Sequence, residues 1–224
     1  MSLQKEEYSP FIEFDQKMSA KLKPQLEEWF SDMRGKNVLD VGCGSGEVGS
    51  LLIGRMDVYG VDEQPHALKI AQKKGITVTS SSLEEKLPYP SEFFDNVICK
   101  DVFEHMVHSH TLLVEIHRVL KKGGKLYAHV PNQFTLLDRL LILFGRSMVV
   151  KRWFSGSEEW NFPHLRFFTH SGFRRFLEGN GFVIDKDCSD LWSYSVGMGI
   201  TTRILSGLSP GLFSPGFTFT CSKK

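Results

Sequence analysis

The stretch Val38–Gly46, VLDVGCGSG, limits the folds open to this chain more than any other. Apolar Val38, Leu39 and Val41 run into glycines at alternate positions, Gly42, Gly44 and Gly46, and a helix-compatible segment from Glu47 to Ile53 follows at once. That order describes a buried parallel strand entering a tight turn and then a helix N-terminus. Glycine supplies positive φ there and lets a ligand approach the backbone with no Cβ in between. Free amides and the positive end of a following helix would favour a carboxylate or a phosphate. Two ligand classes use such a turn. The dinucleotide fingerprint is G-x-G-x-x-G, whose last glycine packs helix against strand. Here the spacing is G-x-G-x-G, and Glu47 stands in that last position. Asp40 sits inside the strand end, where a charge is costly unless it meets hydrogen-bond donors.

Along the rest of the chain, strand and helix alternate. Tyr8–Met33 reads as one or two helices, with Pro10 and Pro24 as start or break signals, and packs on the sheet or closes over a ligand as a lid. Asp57–Val61 is a second strand ending in Asp62 and Glu63, about twenty residues after the glycine turn, where a ribose-binding acid is expected. A helix over Pro65–Lys74, a strand over Ile76–Ser80 and another over Phe94–Cys99 follow. Val102–Leu120 reads as a helix stopped by Lys121–Gly124, before a strand over Lys125–Val130. Short connections between such elements imply right-handed crossovers and a parallel, doubly wound α/β sheet, with ligands at the carboxyl ends of its strands. A late helix capped by Thr169 leads to strands at Phe182–Asp185 and Phe217–Cys221, an antiparallel pair. The expected division is an N-terminal helical lid (1–36), a cofactor-binding core (37–131), a cap or substrate insertion (132–165) and the C-terminal part of the sheet (166–224). Leu136–Phe144 could touch a membrane as an amphipathic helix, but a cap over the active site is the reading adopted.

Length and composition set outer bounds. The 224 residues suit one domain with a small appended cap. A formal charge of +1 gives no global attraction to nucleic acid or anionic lipid, and no basic stripe is interleaved with aromatics. Cys43, Cys99, Cys188 and Cys221 are dispersed without a CxxC pair, so buried reduced thiols are expected. No basic-then-apolar signal pattern opens the chain, which points to a cytoplasmic protein, monomeric or homodimeric.

Several segments in order resemble the class I S-adenosylmethionine-dependent methyltransferases, over Val38 to Thr220. VLDVGCGSG resembles the cofactor loop, and VYGVDEQPHALKIAQKKG the second strand with its ribose acid. LPYPSEFFDNVICKDVFEHM, HRVLKKGGKLYAHVPN and HLRFFTHSGFRRFLEGNGF are similar to the small-molecule branch that includes quinone-biosynthesis enzymes. The resemblance implies a seven-stranded, mostly parallel Rossmann-like sheet with an antiparallel last strand. It implies S-adenosylmethionine as cofactor and S-adenosylhomocysteine as product. Asp40, Gly42, Cys43, Gly44 and Gly46 would shape the loop around the methionine moiety. Asp62 would hold the ribose, Glu63 would flank the adenosine, and Lys100 and Asp101 would end the fourth strand beside the cofactor's amino group. Relatives usually place an aspartate against the adenine amino group after the third strand. This chain offers Ser82 there, with Leu83 beside it, a neutral acceptor in place of a charged one.

Methyl transfer from a sulfonium is an in-line displacement, so catalysis rests largely on holding donor and acceptor aligned. A base is needed only where the acceptor loses a proton. Glu104, His105 and His164 are the expected catalytic residues, with His105 foremost, and His129 and Asn132 are further candidates. His108 and His110 are too close in sequence to share a helical face, and no metal is expected. The acceptor would be a small molecule, methylated at oxygen, carbon or nitrogen. A nicotinamide oxidoreductase, a cofactor-binding module without catalysis and a membrane-peripheral lipid methyltransferase remain as alternatives.

Overall fold

The computed structural model describes residues 5–145, 163–191 and 199–224. Seven strands, β1 (Asn37–Val41), β2 (Asp57–Asp62), β3 (Thr77–Ser80), β4 (Phe94–Lys100), β5 (Leu120–Pro131), β6 (Phe182–Asp187) and β7 (Gly216–Lys223), form one sheet. Their order is β3-β2-β1-β4-β5-β7-β6. β1 pairs in parallel with β2 and β4, while β7 runs antiparallel to both β5 and β6. The expected mostly parallel sheet with an antiparallel last strand is therefore the observed one.

Both faces of this sheet are covered, which is why its strands are nearly continuous apolar runs. In β5, Leu126 and Ala128 join a core on one face with Phe103, Leu113, Phe173 and Phe219. Tyr127, between them in sequence, points the other way into a second core with Trp29, Phe30, Val38 and Ile98. The second core is closed by α1 (Lys5–Trp29), a helix that continues through Pro10 and Pro24 without a break. Trp29 Nε1 donates to Thr220 Oγ1 at 3.2 Å, and Tyr127 Oη bonds Asp32 Oδ1 at 3.2 Å, so the end of α1 is tied to β7 and β5. Its lid role would fall on Tyr8, whose side chain lies outside the described residues. The remaining helices are α2 (Pro65–Lys73), α3 (Ser109–Val119), α4 (Leu136–Leu143), α5 (His170–Glu178), α6 (Gly199–Leu208) and α7 (Pro210–Phe213). Thr169 caps α5 as expected, accepting from Gly172 N at 3.1 Å. All four cysteines are buried free thiols.

Two expectations are corrected. The segment after the glycine turn forms only a 3₁₀ turn, Gly49–Leu52, and not an α-helix. The expected dipole at its N-terminus is therefore absent, and the loop must act through individual amides. Secondly, α3 begins at Ser109, seven residues later than its apolar spacing suggested. Asp101 at φ +56 breaks the chain direction after β4. Glu84 then takes the amides of Val107 at 2.6 Å and His108 at 2.9 Å, holding 102–108 as a turn. Lys121–Gly124 follows the helix as the start of β5.

The glycines divide by what surrounds them. A Cβ on Gly46, at φ +80, would lie 2.6 Å from Ile76 Cδ1 and 3.0 Å from Ala71 Cβ. Gly46 thus lets α2 and the start of β3 pack against the loop. Gly54, at φ +84, would meet nothing within 4 Å. Gly54→Ala should therefore cost only the left-handed conformation, about 1–2 kcal/mol. Gly46→Ala should cost about 1–3 kcal/mol more through overpacking. Urea denaturation of both variants measures the difference.

Candidate active site

The site grows from the carboxyl ends of β1 to β4. Gly42 N and Cys43 N donate to Val61 O at 2.8 and 3.2 Å, which folds the loop after β1 onto the end of β2. Gly42 and Gly44 have φ of +68 and +49. In that bend Gly44 N points at Asp62 Oδ2, 2.9 Å away, while Gln64 N donates to Asp62 Oδ1 at 2.8 Å. A Cβ on Gly42 would lie 2.6 Å from Val102 Cγ2 and 3.7 Å from Leu83 Cδ1. The turns after β3 and β4 therefore close directly on the glycine loop.

Each acid in this corner is spent on backbone. Asp40, buried in β1, reaches beneath the loop to accept Gly49 N at 2.9 Å. Burial, reinforced by the charge of Asp62, pushes its pKa up to about 7 against the pull of that amide. Burial raises Asp62 as well, opposed by the amides of Gln64 and Gly44. Glu63 Oε1 accepts Ser82 Oγ at 2.6 Å and Leu83 N at 3.1 Å. The Ser82 hydroxyl thus gives its proton to Glu63 and also accepts Glu84 N at 3.3 Å. Burial drives the Cys43 thiol far above its ordinary range, so Cys43 offers backbone only.

Beyond β4 lies a second polar group. Lys100 and Asp101 form an ion pair, and Asp101 Oδ1 lies 3.3 Å from His129 Nε2. The Lys100 charge outweighs burial and holds Asp101 down at about 2, ionised, with its side chain 41% exposed. His129 is fully buried, bonds Thr218 Oγ1 at 2.7 Å through Nδ1, and is pushed down by burial to about 4. It is a neutral core histidine behind the cleft. Glu104 is also buried, and neither carboxyl oxygen has a hydrogen-bond partner among the described residues. Burial and the neighbouring Asp101 charge drive its pKa well up, so it carries its proton at neutral pH.

His105 lies on the turn after β4. Its Nε2 is 3.8 Å from Glu104 Oε1, and its Nδ1 is 3.1 Å from Pro163 O. His164 meets it edge to face, with ring centroids 4.8 Å apart. Burial lowers both imidazoles, His164 to about 4, so both are neutral at pH 7. Glu104, His105 and His164 each bring one polar atom within 4.8 Å of the others, a grouping that no local spacing announces. The arrangement holds one protonated acid and two neutral imidazoles, a hydrogen-bonding set. Sequence reasoning missed Gln133, whose Nε2 lies 3.1 Å from His164 Nδ1. The cleft at the opposite ends of the strands, between Arg34, Asp95 and Lys121, is no rival. There Asp95 is already engaged by Lys36 N, Asn37 N and Lys121 Nζ.

Comparison with known proteins agrees with this geometry. A family described as a methyltransferase domain matches residues 39–128, from β1 through β5. The mitochondrial ubiquinone biosynthesis O-methyltransferase of Mus musculus is 31% identical over 166 residues, 68% of this chain and 43% of its own. A ubiquinone biosynthesis O-methyltransferase of Pseudomonas syringae is 30% identical over 125 residues, 50% of this chain and 53% of its own. The fold of a SAM-dependent methyltransferase from Thermotoga maritima superposes with a TM-score of 0.66, covering 97% of both chains at 19% identity. Residues 39–128 thus match a methyltransferase domain, carried on the fold that the S-adenosylmethionine-dependent methyltransferases share. It spans about half the length of the curated relatives it matches. S-adenosylmethionine is the cofactor of this family, and Asp62 fits its adenosyl group. Each of that carboxylate's oxygens accepts one amide and retains capacity for one more donor, as two adjacent hydroxyls require.

The buried His129 makes a prediction about pH. His129 binds a proton below about 6.5 when unfolded but only below about 4 when folded. Between those values the unfolded state holds the extra proton, so this residue lowers stability as pH falls. Asp40, raised to about 7, acts in the opposite sense over the overlapping range. His129→Asn should therefore flatten the acid-side fall relative to the parent, by about 1.4 kcal/mol per pH unit. Urea denaturation at a series of pH values from 6.5 to 4.5 measures this.

Proposed function

We propose that this methyltransferase moves the methyl group of S-adenosylmethionine to a hydroxyl oxygen of a small molecule and releases S-adenosylhomocysteine. The reading is supported chiefly by the juxtaposition of two groups at the same sheet edge. Amide-bound Asp62 and Glu63 flank the glycine loop, and His105 stands across the Val102–Gly42 contact. The printed names of the relatives favour oxygen as the methylated atom. A cytoplasmic setting and a small acceptor fit the chain's near-neutral charge, which offers no general attraction to nucleic acid.

When bound, the cofactor supplies a methyl group already activated on a sulfonium. Asp62 takes the ribose hydroxyls, Glu63 orders the adenosine side through Ser82 and Leu83, and Gly42–Gly46 bounds the methionine tail. His105 Nε2 receives the acceptor's hydroxyl proton as the O–H bond breaks and the oxygen–carbon bond forms. The bound cofactor would supply the methyl group and leave as a neutral thioether, so the net positive charge would end on the His105 imidazolium. Glu104, protonated and 3.8 Å from that nitrogen, keeps the pocket free of a second anion. Residues 132–145 and 163–165 serve as the acceptor-side cap, the rest of which, 146–162, lies outside the described residues, and α1 serves as a lid.

Isothermal titration with S-adenosylhomocysteine tests the donor half. Asp62→Ala should weaken binding at least about tenfold, the value of one or two hydrogen bonds to a charged group. His105→Ala should leave that affinity intact and lower turnover by about 10²–10⁴. Because burial lowers the His105 pKa, the acid limb of kcat/KM should lie below pH 6.5. Unchanged binding by Asp62→Ala would refute the ribose assignment.

One observation favours a lipophilic acceptor met at a membrane surface. α4 has no buried residue, and Leu137, Leu143 and Phe144 are 54%, 75% and 79% exposed. Among the described residues no helix is long and apolar enough to cross a membrane. On this second reading the full chain floats with liposomes, and the double substitution Leu143→Glu, Phe144→Glu leaves it at the bottom of the gradient.

A further inference from the structure

We propose that Glu84 and Arg166 are a pair of positioning residues that grip the turn carrying His105 from opposite sides, and so fix where its ring stands relative to the donor corner. The catalytic consequence rests on the proposed function, whereas the grip itself can be measured without turnover.

The two side chains meet the same two peptide groups. Val107 N donates to Glu84 Oε1 at 2.6 Å and His108 N to Glu84 Oε2 at 2.9 Å. On the carbonyl side of those peptides, Arg166 Nε donates to Met106 O at 3.0 Å and Arg166 Nη2 donates to Val107 O. A trans peptide points its N–H and C=O in opposite directions. One carboxylate therefore takes both amides while one guanidinium takes both carbonyls. Hydrogen bonds to a charged group are about twice as strong as neutral ones, and here they converge on two consecutive peptides. His108 Nδ1 adds a further contact to Glu84 Oε2 at 3.1 Å.

Each arm of the grip comes from a different side of the cleft. Glu84 follows β3, and its own amide donates to Ser82 Oγ at 3.3 Å, the hydroxyl that is given to Glu63. The acid arm therefore hangs from the donor corner. Arg166 belongs to the segment that meets the turn a second time. There Leu165 N and Arg166 N donate to Glu104 O at 2.8 and 3.1 Å, and Pro163 O lies 3.1 Å from His105 Nδ1. Inside the turn, His105 N reaches Val102 O at 2.9 Å and Met106 N reaches Phe103 O at 3.4 Å. α3 begins only at Ser109, and His108 gives it no side-chain cap.

For methyl transfer to oxygen, His105 Nε2 has to stand within hydrogen-bond reach of the reacting hydroxyl, and a displacement of about 1 Å can cost about 10²-fold in rate. A base on a turn is held to that tolerance by whatever grips the turn. Glu84 sets its place from the donor side and Arg166 from the acceptor side. The charged and titratable groups about the His105 ring are Asp101 and Glu104 from its own turn and His164 from the segment packed on it. Lys100, His108, Glu84 and Arg166 stand at the borders of the turn. Burial outweighs the Pro163 carbonyl and Asp101 and keeps the ring below its ordinary pKa, so release of the turn into solvent returns it upward.

The test is amide hydrogen exchange on the full chain, together with a pH titration of its histidine ring signals by NMR. In the parent, the Val107 and His108 amides should exchange at least about tenfold more slowly than open amides, and His105 should titrate below pH 6.5. Glu84→Gln keeps the shape but can accept only one of the two amides, and Arg166→Lys keeps the charge without the fork. Each should speed exchange at Val107 and His108 about tenfold. Each should also raise the His105 midpoint toward 6.5 and leave the affinity for S-adenosylhomocysteine unchanged. Loss of an anion alone would lower that midpoint, so its rise in Glu84→Gln reports release of the turn. The double variant should shift it no further than the larger single change, because both arms hold the same two peptides. Arg166 is exposed, so its variant decides alone should Glu84→Gln not fold. A midpoint that stays or falls in folded variants, or shifts that add in the double variant, overturns the proposal. So do Val107 and His108 amides that exchange as open ones in the parent, whether or not any variant folds. Failure to bind S-adenosylhomocysteine would instead sink the proposed function and leave the exchange and the titration to decide the grip.

Discussion

A carboxylate at the end of β2 accepting the amide of a left-handed glycine at the end of β1 is the contact on which the rest of the site depends. The Asp62–Gly44 bond fixes the direction in which the loop leaves the sheet. With the loop so bent, Gly42 comes to lie against Val102, and the turn after β4 can close on it. Three acids, Asp40, Asp62 and Glu63, crowd into this corner, and like charges at such range would drive one another apart. The chain answers with backbone amides from Gly49, Gly44, Gln64 and Leu83, and by letting the deepest acid, Asp40, rise to about 7. The missing helix after the loop fits this solution. With no helix dipole on hand, acids that receive individual amides do the organising.

Across the loop the electrostatics are of another kind. Asp101 is ionised because Lys100 flanks it, while Glu104, three residues on and buried without a hydrogen-bond partner among the described residues, keeps its proton. One charge is accommodated and a second excluded, the usual result when two acids share a dry site. The neutral imidazoles of His105 and His164 follow from the same burial. A neutral base beside a protonated acid can take a proton without creating a buried, unpaired charge next to a cationic methyl donor.

Much of the sheet was legible because parallel strands buried on both faces must be written as apolar runs, and those runs stand out between glycine and proline signals. The place of Asp62 at the end of β2 beside the glycine turn was legible for a related reason, since that turn follows one strand and the acid closes the next. The start of α3 was not, since Phe103 and Met106 are buried in the core as a helix would bury them, yet they sit on a turn held by Glu84. Periodicity records burial, and a compact turn can bury the same residues. Ser82 was expected to accept from a ligand, but its hydroxyl is engaged with Glu63, a contact nineteen residues away in sequence that no local pattern encodes.

The residues that would distinguish one acceptor from another are the hardest to read in advance, and the topology explains why. The donor side is built from consecutive strand–turn units, so its residues recur at regular intervals along the chain. The acceptor side is built by pairing the segment at Pro163–His164 with the end of β5 some thirty residues earlier and with a turn nearly sixty residues earlier, through Gln133–His164 and His105–Pro163. Such contacts impose no period and require no glycine or proline. A histidine at 105 or 164 is therefore silent in sequence about its neighbours. Only the three-dimensional closure of Pro163 over the turn after β4, and of Gln133 against His164, brings the two rings together. A fold shared at 19% identity can thus stand while acceptor chemistry is left to side chains that no strand dictates.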